Sequence, residues 1–219
     1  MYILLNYLET FVATVASRVE KYVKHLNRGS VFTFSTVVSK IGDAQKDTVN
    51  HALKRLVKRN EIVHIKKGIY SRPKISRFGP IPVETVKVVQ ATANNINAKV
   101  YPSGAFALNA LGLSTQLVMS QSFISSKRIA PFKVNNTNIK IHYSRSLERL
   151  EQGLNTVKKT EREKIILLWL SLEYLGERET NSQKTSINKV ISSLSPKAKQ
   201  QLSSKLVGKL RWANRILEI

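Results

Sequence analysis

The sequence predicts a mainly α-helical fold with a small β content, of the α+β class. Apolar residues recur at steps of three and four along most of the chain, a spacing that is typical of amphipathic helices. Short β-branched runs interrupt this pattern at residues 31–34, 61–72, 117–125 and 139–143. Their order predicts an N-terminal unit of helices with a hairpin, then a small α/β unit and a C-terminal helical region.

The composition is that of a strongly basic chain. The 219 residues include 36 Lys and Arg against 14 Asp and Glu, a net charge of +22. Such a charge favours a polyanionic partner, with nucleic acid ahead of an anionic membrane surface. The only aspartates are Asp43 and Asp47. Because Mg²⁺-dependent phosphoryl transfer usually depends on paired carboxylates, an enzyme of that kind is not expected.

Other classes are disfavoured on similar grounds. No apolar run reaches the ~18 residues that a membrane-spanning helix needs, and the N-terminus lacks the pattern of a signal peptide. The absence of cysteine excludes disulfides and thiolate metal sites. We expect a cytoplasmic protein that has no catalytic residue, cofactor or metal site and does not contact a membrane.

The first elements lead to a helix-turn-helix pattern. Residues 3–26 have apolar side chains at helical spacing, and Gly29 follows as a stop. After the β-type run at 31–34, Ser35 is expected to cap a short helix over residues 36–41, which ends at Gly42.

A second helix is predicted over residues 45–60, after a tight turn at 42–44. Its apolar residues share one face, and its polar and basic residues share the other. The polar face comprises Asp47, His51, Lys54, Arg55 and Lys58, flanked by Asn50. A short helix, a turn and a longer helix with a basic outer face are typical of a helix-turn-helix, because the B-DNA major groove admits one helix.

Two β-rich runs follow within residues 61–72, on either side of the basic turn Lys66–Lys67–Gly68. A hairpin placed after a helix-turn-helix predicts a winged helix. Residues 54–77 hold nine basic side chains and one acidic side chain, Glu61. The segment is therefore interpreted as a DNA-binding unit; a three-helix packing domain with a solvated basic face and an RNA-binding domain are the alternatives.

The predicted DNA contacts fall into two sets. Base-edge contacts are expected from side chains of the second helix, because Asn suits adenine whereas Arg and Lys suit guanine. These candidates are Asn50, His51, Lys54 and Arg55. Phosphate contacts are expected from flanking cations and from the wing. These candidates are Lys46, Lys58, Lys66, Lys67 and Arg72.

The domain organisation follows from a Pro- and Gly-rich stretch. We predict a winged-helix domain over 1–76, a linker over 77–82 and a second domain over 83–219. In the second domain, Ser103 is expected to cap a helix over 104–111, and His142 is expected to be a surface or packing residue rather than a catalytic base.

The C-terminal region from residue 145 is predicted to be helical. Thr160 and Glu163 form a capping-box pattern before a helix that is expected to stop at Gly176, and a polar loop is expected over 177–185. Ser195–Pro196 is expected to open a last, basic helix. Its cations favour a solvated face over a second nucleic-acid contact.

Two segments together resemble a known family. Residues 31–73, VFTFSTVVSKIGDAQKDTVNHALKRLVKRNEIVHIKKGIYSRP, resemble the N-terminal winged-helix domain of AbiEi-type antitoxins of type IV toxin–antitoxin (abortive infection) systems. Residues 101–116, YPSGAFALNALGLSTQ, resemble the start of the second domain in that group. The resemblance implies a protein that binds double-stranded DNA at its own promoter, represses its operon and neutralises a nucleotidyltransferase-like toxin. A monomer or a homodimer fits this role.

Two rival hypotheses come from other classes of protein. One is a degenerate nucleotidyltransferase-like enzyme that uses Ser103 and scattered glutamates, although no Asp follows residue 47. The other is an interaction module that binds the toxin without binding an operator.

Overall fold

A computed structural model of the protein describes residues 14–42, 46–116, 121–217 and 219. The chain divides into two compact units, Met1–Asn95 and Ile96–Ile219. Both combine helices with small sheets, so the α+β class predicted from the sequence is confirmed. None of the helices in the described ranges is long and apolar enough to cross a membrane.

The first unit follows the predicted order of elements. They are α1 (Val15–His25), β1 (Val31–Thr33), α2 (Phe34–Ile41), α3 (Lys46–Lys58), β2 (Val63–Lys66), β3 (Ile69–Ser71), β4 (Lys74–Ser76), β5 (Gly79–Ile81) and α4 (Thr85–Asn94). Strands β1, β3 and β2 form an antiparallel sheet in that spatial order. The predicted helical stretch 3–13 and the turn residues 43–45 lie outside the described residues.

The core of this unit lies between the three N-terminal helices and the sheet. Its buried members are Val19, Val23, Phe32, Val37, Ile41, Val49, Ala52, Leu53, Leu56, Ile62 and Tyr70. The buried face of α3 is the one predicted from its apolar spacing. Asn60 ends this helix with a φ of 57°, a left-handed conformation that Asn tolerates.

The start of α2 differs from the prediction. The capping residue is Thr33, whose Oγ1 accepts a hydrogen bond from the backbone N–H of Thr36 at 3.0 Å. Ser35 instead donates its hydroxyl proton to Oδ1 of Asn95 at 2.5 Å. The helix begins at Phe34, two residues earlier than expected, because β1 and α2 meet at Thr33 without a connecting loop.

Replacing Thr33 with alanine is expected to lower the free energy of unfolding by about 1 kcal/mol, because the N–H of Thr36 loses its partner. Urea denaturation followed by far-UV circular dichroism measures the change. Ser35→Ala is the matched control, since the Ser35 hydroxyl bonds the side chains of Asn95 and Thr33, and its loss leaves the bond from the N–H of Thr36 to Thr33 in place; a larger loss in Ser35→Ala would contradict the assignment of the cap.

The predicted linker is also structured differently. Residues 74–81 form the hairpin β4–β5, in which Ser76 Oγ donates to the carbonyl of Gly79 at 2.9 Å. Helix α4 then packs on β1 and β3 and buries Val88, Val89 and Ala93. The first unit therefore extends to Asn95, beyond the boundary expected at residue 76, because α4 covers the sheet.

The second unit contains a four-stranded sheet and a helical core. Its elements are β6 (Val100–Pro102), α5 (Ala105–Ala110), β7 (Ser122–Ser125), β8 (Phe132–Val134), β9 (Thr137–Tyr143), α6 (Ser146–Glu151), α7 (Lys159–Ser182), α8 (Lys184–Ser192), α9 (Pro196–Lys205) and α10 (Arg211–Leu217). The spatial order is β6–β7–β9–β8, with β7 and β9 parallel and the other pairs antiparallel.

The helical part departs from the sequence prediction in three places. Helix α7 begins at Lys159 without a side-chain cap, so the expected capping box at Thr160 does not form. Gly176 adopts a φ of 71°, but it kinks α7 rather than ending it, and residues 177–182 are helical. Ser195 caps α9 as predicted. The expected last helix is interrupted after Lys205 and resumes at Arg211.

Two smaller expectations concern the sheet of the second unit. Ser103 does not cap α5, whose N-cap is Gly104 without a side-chain bond; the N–H of Ser103 donates to Ser122 across the β6–β7 pair at 3.0 Å. His142 is exposed, so of the two expected placements it takes the surface one.

Candidate nucleic-acid interface

The outer face of α3 is polar and basic because its apolar residues are all directed at the core. Val49, Leu53 and Leu56 are fully buried beneath this helix. On the opposite side, Lys46, His51, Lys54, Arg55 and Lys58 are exposed and Asn50 is half-buried. The structure therefore brings all four predicted base-edge residues and two of the predicted phosphate-binding lysines onto one surface.

The β2–β3 hairpin is held beside α3 by its turn. Gly68 has a φ of 72°, and its carbonyl accepts a hydrogen bond from the N–H of Phe34 at 2.8 Å. An added Cβ at Gly68 would lie 3.9 Å from Cβ of Phe34, so the turn sits directly against the start of α2. The bond fixes the position of Lys67, which is exposed at the tip.

A groove of about 500 Å³ separates α3 from the hairpin. It is lined by Phe34, Lys46, Asp47, Asn50, Lys54, His64, Lys67, Gly68 and Tyr70. A shallower depression on the other flank of α3 is lined by Thr48, His51, Lys54, Arg55 and Lys58. Lys54 borders both, so it occupies the centre of the predicted contact face.

The two wing lysines differ in their surroundings. Lys66 is half-buried at the end of β2, and burial lowers its pKa. Lys67 is exposed and borders the groove. Since a phosphate contact needs an accessible cation, Lys67 is better placed for that role than Lys66.

Arg72 has a different place from the one predicted. Its Nη1 donates to the backbone carbonyl of Lys24 at 2.7 Å and also to the carbonyl of Leu26. Its backbone pairs with Gly29 and Ser30. The guanidinium thus closes the C-terminal end of α1, where helix carbonyls lack intrahelical donors. It does not border the groove.

Two residues of the groove, His64 and Tyr70, were not among the sequence candidates. Their rings are in contact, with centroids 5.2 Å apart, and Tyr70 also stacks on Phe32 at 5.9 Å. Burial raises the pKa of the Tyr70 phenol. In a regular hairpin with the two-residue turn Lys67–Gly68, Ile65 would pair with Tyr70. A β-bulge between His64 and Lys66 shifts the register, so His64 pairs with Tyr70 instead.

The second unit has a half-buried polar pair on β6, the edge strand of its sheet. The Tyr101 hydroxyl donates to Oε1 of Glu151 at 2.5 Å. Burial, followed by this bond, raises the pKa of Tyr101, so the phenol stays protonated at neutral pH. Ser103 lies two residues further along the chain, and its backbone N–H donates to the carbonyl of Ser122. In the described ranges, no group of three or more His, Asp or Glu side chains could hold a metal ion.

The protein is thus an α+β protein of two units, and the first unit has a basic helix beside a basic hairpin. Residues 18–202 match the family of unknown function DUF6088, and the chain belongs to that family. The sequence matches none of the curated proteins. The crystal structure of the RV2827C protein from Mycobacterium tuberculosis is similar with a TM-score of 0.43 and 14% sequence identity, over 93% of this chain and 80% of that one.

Proposed function

We propose that this protein is a sequence-specific, double-stranded DNA-binding protein whose first unit is a winged helix. The observation that carries the proposal is the groove in which Asn50 and Lys54 of α3 face Lys67 of the hairpin. A helix in the major groove places its exposed amides and cations at base edges, while a basic hairpin beside it meets the phosphate backbone. Helix α3 is the recognition helix of this proposal and the β2–β3 hairpin is its wing.

The resemblance to AbiEi-type antitoxins extends the proposal to a biological role. The protein acts in the cytoplasm, binds its own promoter as a monomer or homodimer, represses its operon and neutralises a nucleotidyltransferase-like toxin. It is not an enzyme in this proposal, and it uses no cofactor. The absence of Asp beyond residue 47 supports the non-enzymatic assignment, because nucleotidyl transfer with Mg²⁺ needs paired carboxylates.

A binding titration on the DNA upstream of the gene tests the proposal. The wild-type protein is expected to bind that DNA at least 10³-fold more tightly than a shuffled duplex, the lower end of the range for specific binders (~10³–10⁷). Equal affinity for the two duplexes would overturn sequence-specific recognition. No binding to either duplex at low salt would overturn double-stranded DNA binding itself.

Lys67→Ala is expected to weaken binding to operator and shuffled duplexes alike. Loss of one phosphate contact flattens the slope of log K against log salt concentration by about one unit. Fluorescence anisotropy at several salt concentrations measures it. Lys21→Ala is the matched control, because Lys21 is exposed on α1 and does not border the groove; equal changes in both variants would contradict a specific wing contact.

A further inference from the structure

A second basic surface lies on the sheet of the second unit, far along the sequence from α3. Lys140 and His142 alternate along β9 and therefore point to the same face of the sheet. On the neighbouring edge strand β8, Lys133 is paired with Asn138 of β9 and so lies on that face too. We name Lys133, Asn138, Lys140 and His142 the basic strip; all four residues are exposed.

Only part of this sheet face is covered by helices of the same unit. His142 is opposite Ile124 of β7, and Ile124 is opposite Tyr101 of β6, so these residues share the face of the strip. Tyr101 and Ile124 pack on the helical core. The β6–β7 half of the face is therefore covered by helices, whereas the β9–β8 half carries the exposed strip.

The sheet segment of this unit carries cations and no acids; the next acids along the chain are Glu148 and Glu151, in the helix that follows the sheet. Residues 96–147 contain six lysines and arginines and no Asp or Glu. Two of the six have described partners: Lys127 donates to the carbonyl of Ile96, and Arg128 lies 5.5 Å from the centre of the Tyr143 ring. A basic segment free of acids is unlike an ordinary solvated surface, on which both signs are interspersed.

The spacing of the strip suits a polymer of regularly placed anions. Residues two apart on a strand are separated by about 6.7 Å, and diagonal neighbours on paired strands by about 7–8 Å. The strip thus offers Lys133 and Lys140 at a separation comparable to that of neighbouring phosphates on an extended nucleic-acid strand. His142 adds a flat ring on which a base can stack, and Asn138 adds an amide that can hydrogen-bond a base edge.

We propose that the basic strip binds single-stranded nucleic acid. A single strand suits the strip because an unpaired strand can lay both phosphates and bases on an exposed sheet face. A duplex that takes the β8–β9 ribbon into its major groove is the competing outcome, and the duplex probe below tests it. An acidic protein is a poorer match, since nothing in the strip is apolar. The proposal is independent of duplex recognition by α3.

The experiment compares the full chain with its Lys133→Gln/Lys140→Gln variant. The probes are a fluorescein-labelled oligouridylate and a duplex of the same length, followed by anisotropy over a range of salt concentrations. Loss of two single-strand phosphate contacts should flatten the salt slope by about 1.4 units, which corresponds to about a 25-fold loss of affinity at ~0.1 M salt. The duplex should lose less than the single strand.

Lys189→Gln/Lys197→Gln is the matched control, because it removes the same charge from exposed positions of the same unit. It should lose far less affinity for the oligouridylate than the strip variant. Equal losses in the two variants, or no binding of oligouridylate by the wild type, would overturn the proposal. An equal loss for duplex and single strand would overturn the single-strand assignment.

A second background separates this proposal from the first. In the Lys54→Ala/Arg55→Ala background, the strip substitutions should still cause the full loss of oligouridylate binding. If the Lys54→Ala/Arg55→Ala substitutions alone remove oligouridylate binding, the oligouridylate binds at α3, and the strip is not its site. Circular dichroism of each variant checks that these exposed substitutions leave the fold intact.

Discussion

Arg55→Ala is expected to weaken binding to the operator by about 1–3 kcal/mol and to relax the base preference at one position of the site. Arg55 is exposed on α3, next to Lys54 and His51 in the depression on the outer flank of the helix. An arginine in the major groove donates two hydrogen bonds to the O6 and N7 atoms of guanine. Its loss therefore costs more at the cognate base than at others.

The measurement is a set of binding titrations on the operator and on single-base variants of it. In the wild type, one substituted guanine should weaken binding, whereas in Arg55→Ala all four bases at that position should bind alike. A uniform loss across every duplex, with a flatter salt slope, would instead assign Arg55 to a phosphate.

Arg59→Ala provides a control with the same loss of charge, four residues further along the chain. Arg59 forms ion pairs with Glu20 at 2.5 Å and with Glu61 at 3.0 Å, so its guanidinium is held against its own unit. The hydrogen bond that Arg59 donates to Glu20 raises the pKa of the guanidinium. We expect the base preference of this variant to equal that of the wild type. A variant of Arg59 that lost specificity as Arg55→Ala does would contradict the proposed orientation of the contact face.

Much of the first unit was predictable because its signals are local. The apolar spacing of Val49, Leu53 and Leu56 determines which face of α3 is buried, and the remaining face is then the polar one. Glycine in the turn after Lys67 indicates a hairpin, since a positive φ is needed there. Both signals depend on residues only a few positions apart, so they can be recognised in the sequence without knowledge of the tertiary structure.

The errors arise where distant residues decide the outcome. Thr33 rather than Ser35 caps α2 because β1 pairs with β3 up to Thr33, and this pairing leaves no room for a loop. The bulge that brings His64 opposite Tyr70 belongs to strand pairing, and the pattern of β2 alone does not reveal it. Strand β8 was missed because its three residues carry too little periodicity to predict a strand.

The predicted linker and the predicted helix end fail for a related reason. Proline and glycine favour breaks in a chain, yet Pro80 fits within a two-stranded hairpin and Gly176 fits within a kinked helix. In both places a Pro or Gly signal marks a change of direction rather than the end of an element.

Arg72→Ala is expected to lower the free energy of unfolding of the first unit by about 1.5–3 kcal/mol, because two carbonyls lose charged donors. The carbonyls are those of Lys24 and Leu26 at the end of α1. Urea denaturation followed by far-UV circular dichroism measures the loss. Trp169 and Trp212 both lie in the second unit, so tryptophan fluorescence should report an unchanged transition there.

Arg72→Lys separates this structural role from the phosphate contact that the sequence suggests. A lysine keeps the charge and would keep a phosphate contact, but its side chain is one bond shorter, so its ammonium does not reach the position from which Nη1 of Arg72 donates to both carbonyls. We therefore expect Arg72→Lys to lose most of the stability that Arg72→Ala loses. In buffer without denaturant, where the first unit is folded, both variants should keep the wild-type salt slope of DNA binding. A stable Arg72→Ala variant with a salt slope flattened by about one unit would reverse this assignment, because only a direct phosphate contact changes the slope without changing the fold.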